Sequence, residues 1–259
     1  MQPLVEPIDA LAPTELIRTA RHAVLAGIGN EGQRRLAAAR VAVIGAGGLG
    51  SPVILALAAA GVGEIVVIDD DVVDGSNLQR QVLHRLGDLD RPKVDSAVRA
   101  AADLSPTTRV IPRAERLDAD NAVRLMEGAH LVVDGSDTFG TREAVASGAD
   151  ALGIPVVWGA VQEFAGQATV FWSRPPAGVS PISLHDLYPA DSTGEPPTCE
   201  QVGVLGSLCL QIGGILATEA VKLITGAGDP LLGRVVVIDA LRGRQSEVPL
   251  LARASAVPA

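Results

Sequence analysis

The chain has 259 residues, of which 47% are hydrophobic and 2% aromatic, and its formal net charge is -9 at pH 7. An acidic chain with few aromatic residues argues against nucleic acid as a partner, because phosphate backbones are bound through excess lysine and arginine and single strands through stacking. The length fits one large α/β domain over residues 1–259.

The sequence predicts neither a membrane-spanning segment nor export from the cell. The longest apolar stretches, such as residues 51–62, are too short and too rich in alanine and glycine to span a bilayer. No charged-then-apolar leader opens the chain, and two cysteines allow at most one disulfide. We therefore expect a cytoplasmic protein without a membrane segment.

The first two-thirds of the chain alternates strands with helices. Residues 1–13 are proline-rich and expected to be frayed, and residues 14–40 are predicted to form an arm of short helices. The core over residues 41–172 has predicted strands at 41–44, 64–68, 109–111, 131–133, 154–158 and 166–172, and helices at 51–60 and 92–104. This alternation predicts a Rossmann-like, doubly wound, mostly parallel sheet with ligands beyond the carboxyl ends of its strands.

The last third breaks the alternation. Residues 173–201, rich in proline, glycine and serine, are predicted to form a mobile crossover loop. The region 202–250 that follows is predicted to contain a helix over 202–224 and an antiparallel extension with strands at 235–238 and 245–249.

A glycine loop follows the first strand. The run from Gly45 to Gly50, GAGGLG, allows backbone amides to approach a phosphate at a helix N-terminus. Asp69 ends the next strand, where such folds place a carboxylate that binds ribose. Together the two features indicate a nucleotide site rather than a tight structural turn, but they do not separate NAD from ATP.

Two cations favour ATP. Arg80 and Lys93 follow the second strand, and we expect both near the edge of the sheet where that strand ends. A triphosphate needs such cations more than a dinucleotide does. Taken singly, each residue would be read as a solvated surface charge.

Residues 76–81, Ser-Asn-Leu-Gln-Arg-Gln, together with the glycine loop and the Pro92-Lys93 pair, resemble the ThiF/MoeB/HesA adenylyltransferases, relatives of the ubiquitin-activating enzymes. The resemblance runs from about Arg18 to Arg244. It implies that ATP and Mg²⁺ are used to adenylylate the C-terminal glycine carboxylate of a ubiquitin-like sulfur-carrier protein that ends in Gly-Gly, with release of pyrophosphate.

The resemblance also implies a set of site residues. Asp137 matches the aspartate that positions Mg²⁺, although it could instead cap the helix that follows, and Thr138 stands where asparagine is commoner. The implied nucleotide contacts are Gly45, Gly47, Gly48, Asp69, Asp71, Ser76, Asn77, Leu78, Gln79, Arg80, Lys93, Asp137 and Thr138.

Two further residues carry implied roles. Arg21 matches an arginine that reaches across a homodimer interface to the partner's ATP, the alternative being a solvated helix arginine. Cys199 matches a loop cysteine used in thioester or acyl-disulfide chemistry, and a helix beginning just after it would favour the reactive thiolate. Activation itself does not need this cysteine, and we expect Cys209 to be a core residue.

Zinc marks a departure from the family. Many relatives carry two Cys-x-x-Cys pairs, but here the first falls on Ile182-Ser-Leu-His185 and the second is missing, so no four-ligand site can be built and no zinc is expected. We expect His185 to be exposed in a loop, and His22, His84 and His130 have no ligand-like spacing.

Two other functions compete with adenylylation. An NAD-dependent oxidoreductase would explain the glycine loop and Asp69 but not Arg80, Lys93 and Asp137 together. A non-catalytic scaffold for a ubiquitin-like protein would explain the zinc loss but not the retained cations. We expect the apolar sheet face around Val156 to Val170 and the mobile loop to receive the carrier protein. The identity of the carrier, its pathway and any sulfur-donor protein stay open.

Overall fold

The computed structural model describes residues 1–189 and 199–252, excepting the side chains of 199 and 200. The strands of this part are β1 (Arg40–Ile44), β2 (Glu64–Ile68), β3 (Arg109–Arg113), β4 (Leu131–Asp134), β5 (Val156–Gln162), β6 (Ala165–Phe171), β7 (Arg234–Asp239) and β8 (Arg244–Pro249). Its α-helices are α1 (Pro13–Arg18), α2 (Ala20–Ala23), α3 (Gly29–Ala38), α4 (Gly50–Ala60), α5 (Lys93–Leu104), α6 (Ala122–Met126), α7 (Phe139–Leu152), α8 (Leu184–Leu187), α9 (Cys199–Val202) and α10 (Gly206–Thr225).

All these strands lie in one sheet with the order β3-β2-β1-β4-β5-β6-β7-β8. The strands from β3 to β5 pair in parallel, and those from β5 to β8 pair antiparallel. The predicted fold class, a doubly wound and mostly parallel sheet with an antiparallel C-terminal extension, is confirmed.

Helices cover both faces of the central strands of the sheet, whereas the edge strand β8 is exposed. In β1, Val41 and Val43 join the apolar core beneath α3, α4, α5 and α10, whereas Ala42 and Ile44 join a second core with residues of α6 and α7. The alternation follows from the two-residue period of a strand. Because each face is buried, the parallel strands read as continuous Val, Ile and Leu runs.

Helix α10 is the longest apolar helix of the described residues. It is long and apolar enough to cross a bilayer, but 61% of its apolar window is buried inside the fold, against α4, β5 and β6. The expectation that the longest apolar stretches are too short to span a bilayer was therefore wrong for α10. The apolar character of α10 is accounted for by its position in the core.

The predicted helix over 202–224 also begins too early. Gly203 has a φ of +78°, and the segment after it runs beside β5, where the Leu205 amide donates to the Glu163 carbonyl at 2.9 Å. This backbone pairing separates α9 from α10, which starts at Gly206.

Two segments expected to be loose pack onto the fold. Near the N-terminus Val5 is buried, and the Leu4 amide donates to the Leu223 carbonyl at 3.0 Å, so the expectation of fraying was wrong for these residues. Within the predicted crossover loop, Ile182 and Leu184 are buried, and Ile182 forms an antiparallel bridge with Trp172. Residues 190–198, the rest of that loop before Cys199, lie outside the described part.

Candidate functional site

An open cleft of about 1100 Å³, including its mouth, lies where the central parallel strands end. Ile44 and Ile68, the last residues of β1 and β2, line it, as does Gly135 just after β4. The strand order reverses between β1 and β4, which is where doubly wound folds bind ligands. The cleft is therefore the candidate site, and its predicted members are Gly45, Gly47, Gly48, Asp69, Asp71, Arg80, Lys93, Asp137 and Thr138.

The glycine loop makes the turn from β1 into α4. Gly45 has a φ of +85°, and a Cβ on Gly50 would lie 1.8 Å from the Gly45 carbonyl oxygen. Only glycine fits at these two positions. The resulting turn brings backbone amides and the N-terminus of α4 to the cleft, an arrangement that attracts phosphate.

Residue 46 of the loop is held from two sides. The Ala46 amide donates to Asp69 Oδ2 at 2.7 Å, and the Ala46 carbonyl accepts from Nε2 of His84 at 3.0 Å. Burial lowers the pKa of His84 to about 4, so the imidazole is neutral at pH 7 and carries its proton on Nε2. The spacing of His84 in the sequence did not suggest a metal ligand, and sequence reasoning did not predict that this side chain supports the glycine loop.

Asp69 and Asp71 share the end of β2 with Lys93. Burial raises the pKa of Asp69, against the lowering effect of the Lys93 charge and of its hydrogen bonds from the Ala46 and Asp71 amides. Lys93 is buried at the start of α5, and its Nζ donates to Asp71 Oδ2 at 2.7 Å. The exposed Asp71 carboxylate thus orients a buried cation at the cleft wall.

Four predicted contact residues do not line the cleft: Ser76, Asn77, Leu78 and Gln79. Ser76 donates to Asp74 Oδ1 from its amide at 2.7 Å, and Asn77 Oδ1 accepts from the Asp74 amide at 3.2 Å. The side chains of Asp74 and Asn77 thus cap a short 3-10 helix over Gly75–Asn77. The turn delivers Arg80 instead, whose Nη1 donates to the Ser76 carbonyl at 3.2 Å.

The turn after β4 presents Asp137. Asp134, fully buried at the strand end, accepts from the Ser136 amide at 2.9 Å, and burial raises the pKa of its carboxyl. Thr138, rather than Asp137, caps α7, because its Oγ1 accepts from the Thr141 amide at 3.3 Å. The open alternative of Asp137 as a helix cap is therefore wrong, and its exposed carboxylate remains available to the cleft.

Arg142 is the cleft residue that sequence reasoning missed most clearly. It is 8% exposed, lines the cleft, and lies with its guanidinium carbon 5.4 Å from the centroid of the Trp158 ring. Its position one helical turn after Thr138 on α7 is the signal that could have revealed it, since such residues share a helix face.

Arg21 and the two cysteines differ in where they lie relative to the cleft. Arg21 is exposed on α2 and does not line the cleft of its own chain, whereas Arg18 is tied to Glu15 and to the Ala59 carbonyl. Cys209 is buried, as predicted, and lines the cleft floor beneath Gly48. The backbone of Cys199 begins α9, but its side chain lies outside the description.

Metal-binding clusters are not found among residues 1–189 and 199–252: no three His, Cys, Asp or Glu side chains group there as ligands. His185 is exposed, as expected, but it lies on the short helix α8 and its Nε2 is 3.4 Å from Glu143. His130 is held in the fold, where its Nδ1 accepts from the Arg40 amide at 2.9 Å.

The sheet surface expected to receive a partner protein is closed. Val156, Val157 and Trp158 of β5, like Ala168 and Val170 of β6, are buried under helices on both faces. At these positions the expected apolar docking face around Val156 to Val170 is buried, because the same apolar pattern serves the core, whereas Phe164 at the end of the hairpin is exposed.

Comparison with known proteins agrees with this geometry. The model of the ThiF family matches residues 19–258. The chain belongs to the ThiF family. A solved structure of the microcin C7 biosynthetic enzyme MccB in complex with N-formylated MccA superposes with a TM-score of 0.79 at 20% identity, covering 94% of this chain and 76% of that one. At that identity the superposition supports the ThiF fold alone.

Curated ThiF relatives have higher identity. The chain is 48% identical to the "Probable adenylyltransferase/sulfurtransferase MoeZ" of Mycobacterium tuberculosis over 93% of its own length, and it spans 62% of MoeZ. It is 42% identical to the "Sulfur carrier protein adenylyltransferase" of Thermus thermophilus, with 88% of this chain and 84% of that protein covered.

Proposed function

We propose that this ThiF-family protein is an adenylyltransferase that uses ATP to activate the C-terminal glycine carboxylate of a ubiquitin-like sulfur carrier. The observation that carries the proposal is one cleft that combines the glycine loop with Arg80, Lys93 and the exposed Asp137. The names of the MoeZ and Thermus thermophilus relatives support it. An NAD-dependent oxidoreductase would need only the glycine loop and Asp69.

In the proposed reaction, an oxygen of the carrier carboxylate attacks the α-phosphorus of ATP in line. The new carboxyl–phosphate bond forms as the bond between the α-phosphorus and the bridging oxygen breaks, giving acyl-adenylate and pyrophosphate. The nucleophile is already ionised, so the protein supplies position and charge neutralisation rather than a general base. Arg80 and Lys93 suit that purpose because both cations line the cleft beside the glycine loop.

Asp137 suits a magnesium ion. Mg²⁺ is commonly held by one or two protein carboxylates plus phosphate oxygens and water, so a cluster of protein ligands is not required. An exposed carboxylate that is not used as a helix cap meets this need. When bound there, Mg²⁺ would neutralise phosphate charge.

We place the carrier at the end of the β5–β6 hairpin. The large exposed apolar side chains there, which we call the hairpin-end patch, are Phe164, Val202, Leu205 and Leu241. Backbone hydrogen bonds hold them together: Leu205 donates to Glu163, and Ala240 donates to Phe164. Val204, between two members of the patch, lines the cleft, so a Gly-Gly tail could enter from a carrier docked on it.

We further propose a homodimer that uses the N-terminal arm. Leu16, Ile17, Val24 and Leu25 are all exposed around Arg21, with Ile17 at 79% and Val24 at 76%. Exposed apolar residues that cluster in this way are typical of protein interfaces. Such an interface would carry Arg21 to the partner's cleft.

The test is ATP–pyrophosphate exchange with a panel of purified ubiquitin-like proteins that end in Gly-Gly. At least one should stimulate exchange and acquire an adenylate at its C-terminus in the mass spectrum, whereas the same carrier without its last glycine should do neither. Exchange that ignores the carrier, or binding of NAD in place of ATP, would contradict the proposal.

A further inference from the structure

Arg142 is held rigidly beside the cleft. Its Nε and Nη2 both donate to the Ser136 carbonyl, at 3.3 and 3.0 Å, and the guanidinium lies over the Trp158 ring. The carbonyl and the ring orient the planar group without neutralising it. The nearby buried carboxyl of Asp134 feels the Arg142 charge, but no ion pair joins the two side chains among the described residues.

The charge pairing in the cleft singles this residue out. The cleft is lined by four cations, of which Lys93 pairs with Asp71 and Arg116 pairs with Asp70. Within the described part of the chain, neither Arg80 nor Arg142 has a carboxylate oxygen at ion-pairing distance. Arg80 is partly exposed, but Arg142 is nine-tenths buried. Asp134 offsets part of this charge from beyond ion-pairing distance, so a buried arginine that lines the cleft without a direct ion pair is suited to an anionic ligand.

Arg142 lies on the β5 side of the cleft. The glycine loop follows β1 and Asp69 follows β2, whereas Arg142 lies over Trp158 of β5. Strand β5 is two places from β1, roughly 10 Å at the usual strand spacing, and the Ser136 carbonyl that anchors Arg142 lies in the intervening turn after β4, next to the glycine loop. On the β5 side the cleft is lined by Ala160, Val161 and Val204, next to the hairpin-end patch.

We propose that Arg142 binds the C-terminal carboxylate of the incoming peptide tail. This inference rests on the proposed function and names the group that receives its nucleophile. The Nη1 edge, which donates to no acceptor among the described residues, would form a bidentate pair with the carboxylate. Such a pair would offset the repulsion between the carboxylate and the triphosphate and align the attacking oxygen.

The proposal is tested by binding rather than turnover. Calorimetry compares an N-acetylated decapeptide ending in Gly-Gly as the free acid and as the C-terminal amide. The wild-type protein should bind the acid at least about tenfold more tightly, as a charge-assisted hydrogen bond predicts. In Arg142→Met this preference should fall below about threefold while amide binding is unchanged, and Arg142→Lys should keep part of it. Arg242→Met, an exposed arginine of the β7–β8 turn, should keep all of it.

The outcomes separate a substrate contact from a structural role. If Arg142 only held the Ser136 turn, its loss would weaken acid and amide equally, and unchanged acid preference in Arg142→Met would overturn the proposal. Equal wild-type affinity for acid and amide would overturn it too. If the Arg142→Met protein does not fold, an undiminished preference for the acid over the amide in Arg142→Lys would likewise overturn the proposal. Failure of every carrier to stimulate pyrophosphate exchange would refute the adenylyltransferase function while leaving the peptide result readable.

Discussion

At the scale of single residues, Lys93 is an example of a cleft cation that is held in place by a side chain with no part in the proposed reaction. Lys93 is buried and oriented by Asp71, which is itself 59% exposed. Removing the lysine leaves Asp71 to be solvated by water, but it also withdraws a positive charge from the buried Asp69. Thermal unfolding of the variant therefore has to be measured beside its activity. A lost activity can then be assigned to chemistry rather than to unfolding.

Lys93→Ala should reduce carrier-dependent pyrophosphate exchange at least about a hundredfold, the scale of losing one preorganised donor in a transition state. Exchange assays with saturating ATP measure the effect, and thermal unfolding checks the fold. The exposed Arg242→Ala serves as a charge-matched control with a near-normal rate. A near-normal rate for Lys93→Ala would mean that its charge does not act on the phosphates.

His84 links the glycine loop to pH. Its pKa is lowered to about 4 in the folded protein, mainly by burial, against about 6.5 in an unfolded chain. Below pH 6.5 the unfolded state therefore takes up the proton first. The stabilisation from the neutral imidazole is complete above pH 6.5 and is lost as pH falls toward 4.

From this shift we expect the His84 contribution to decrease the unfolding free energy by about 2 kcal/mol between pH 7 and pH 5. His84→Gln cannot titrate, yet it keeps an amide that can donate to the Ala46 carbonyl, so its loss over the same interval should be smaller by that amount. Urea unfolding at both pH values measures the difference. His130, whose pKa burial also lowers, is present in both proteins and cancels. Parallel pH dependences would contradict the assignment.

At the scale of elements, the crossover segment is anchored by packing. Ile182 and Leu184 lie in the core with Phe171 and Leu250, and Ile182 also pairs its backbone with Trp172. Ile182 begins the segment that the family resemblance aligns with a Cys-x-x-Cys pair. In this chain Ile182 anchors the segment by apolar packing and backbone pairing.

Ile182→Ala should destabilise the protein by about 2–5 kcal/mol, because it removes buried methylene groups and leaves a cavity. Urea unfolding measures the loss, with Leu86→Ala as a control, since Leu86 is 77% exposed and should change stability by less than about 0.5 kcal/mol. Equal stabilities of the two variants would show that Ile182 does not anchor the segment.

At the scale of the whole molecule, the exposed arm and the position of Arg21 outside its own cleft motivate a test of assembly. In a two-fold dimer each cleft would take Lys93 from its own chain and Arg21 from its partner. An Arg21→Ala homodimer and a Lys93→Ala homodimer would then each lack one group at both sites.

Mixing the two variants should restore activity. With free exchange of equal amounts, half of the dimers are mixed and half of their sites are intact, so recovery should approach roughly a quarter of the wild-type rate. Exchange assays before and after subunit mixing measure it, with mass spectrometry verifying heterodimers. If demonstrated heterodimers stay inactive, Arg21 acts within its own chain or only supports the fold.

The sequence by itself determined those features that depend on near neighbours along the chain. Strand and helix alternation follows from local periodicity, and the glycine loop from the conformations only glycine adopts, so the sheet class and the positions of Asp69, Arg80 and Lys93 at one edge were predictable. The carboxyl ends of parallel strands must meet at the same edge, which brought Asp137 to the cleft as well.

Tertiary structure decided what depends on contacts between distant segments. It assigned Ser76 and Asn77 to a turn, gave the cap of α7 to Thr138, buried the β5 and β6 surface, and placed Arg142 on Trp158 without a carboxylate partner. None of these features is encoded in a local sequence pattern, because the burial and charge pairing of a side chain depend on which elements pack over it. The same type of residue can serve in the core, as a helix cap or as a ligand-binding group, and only its tertiary neighbours decide which.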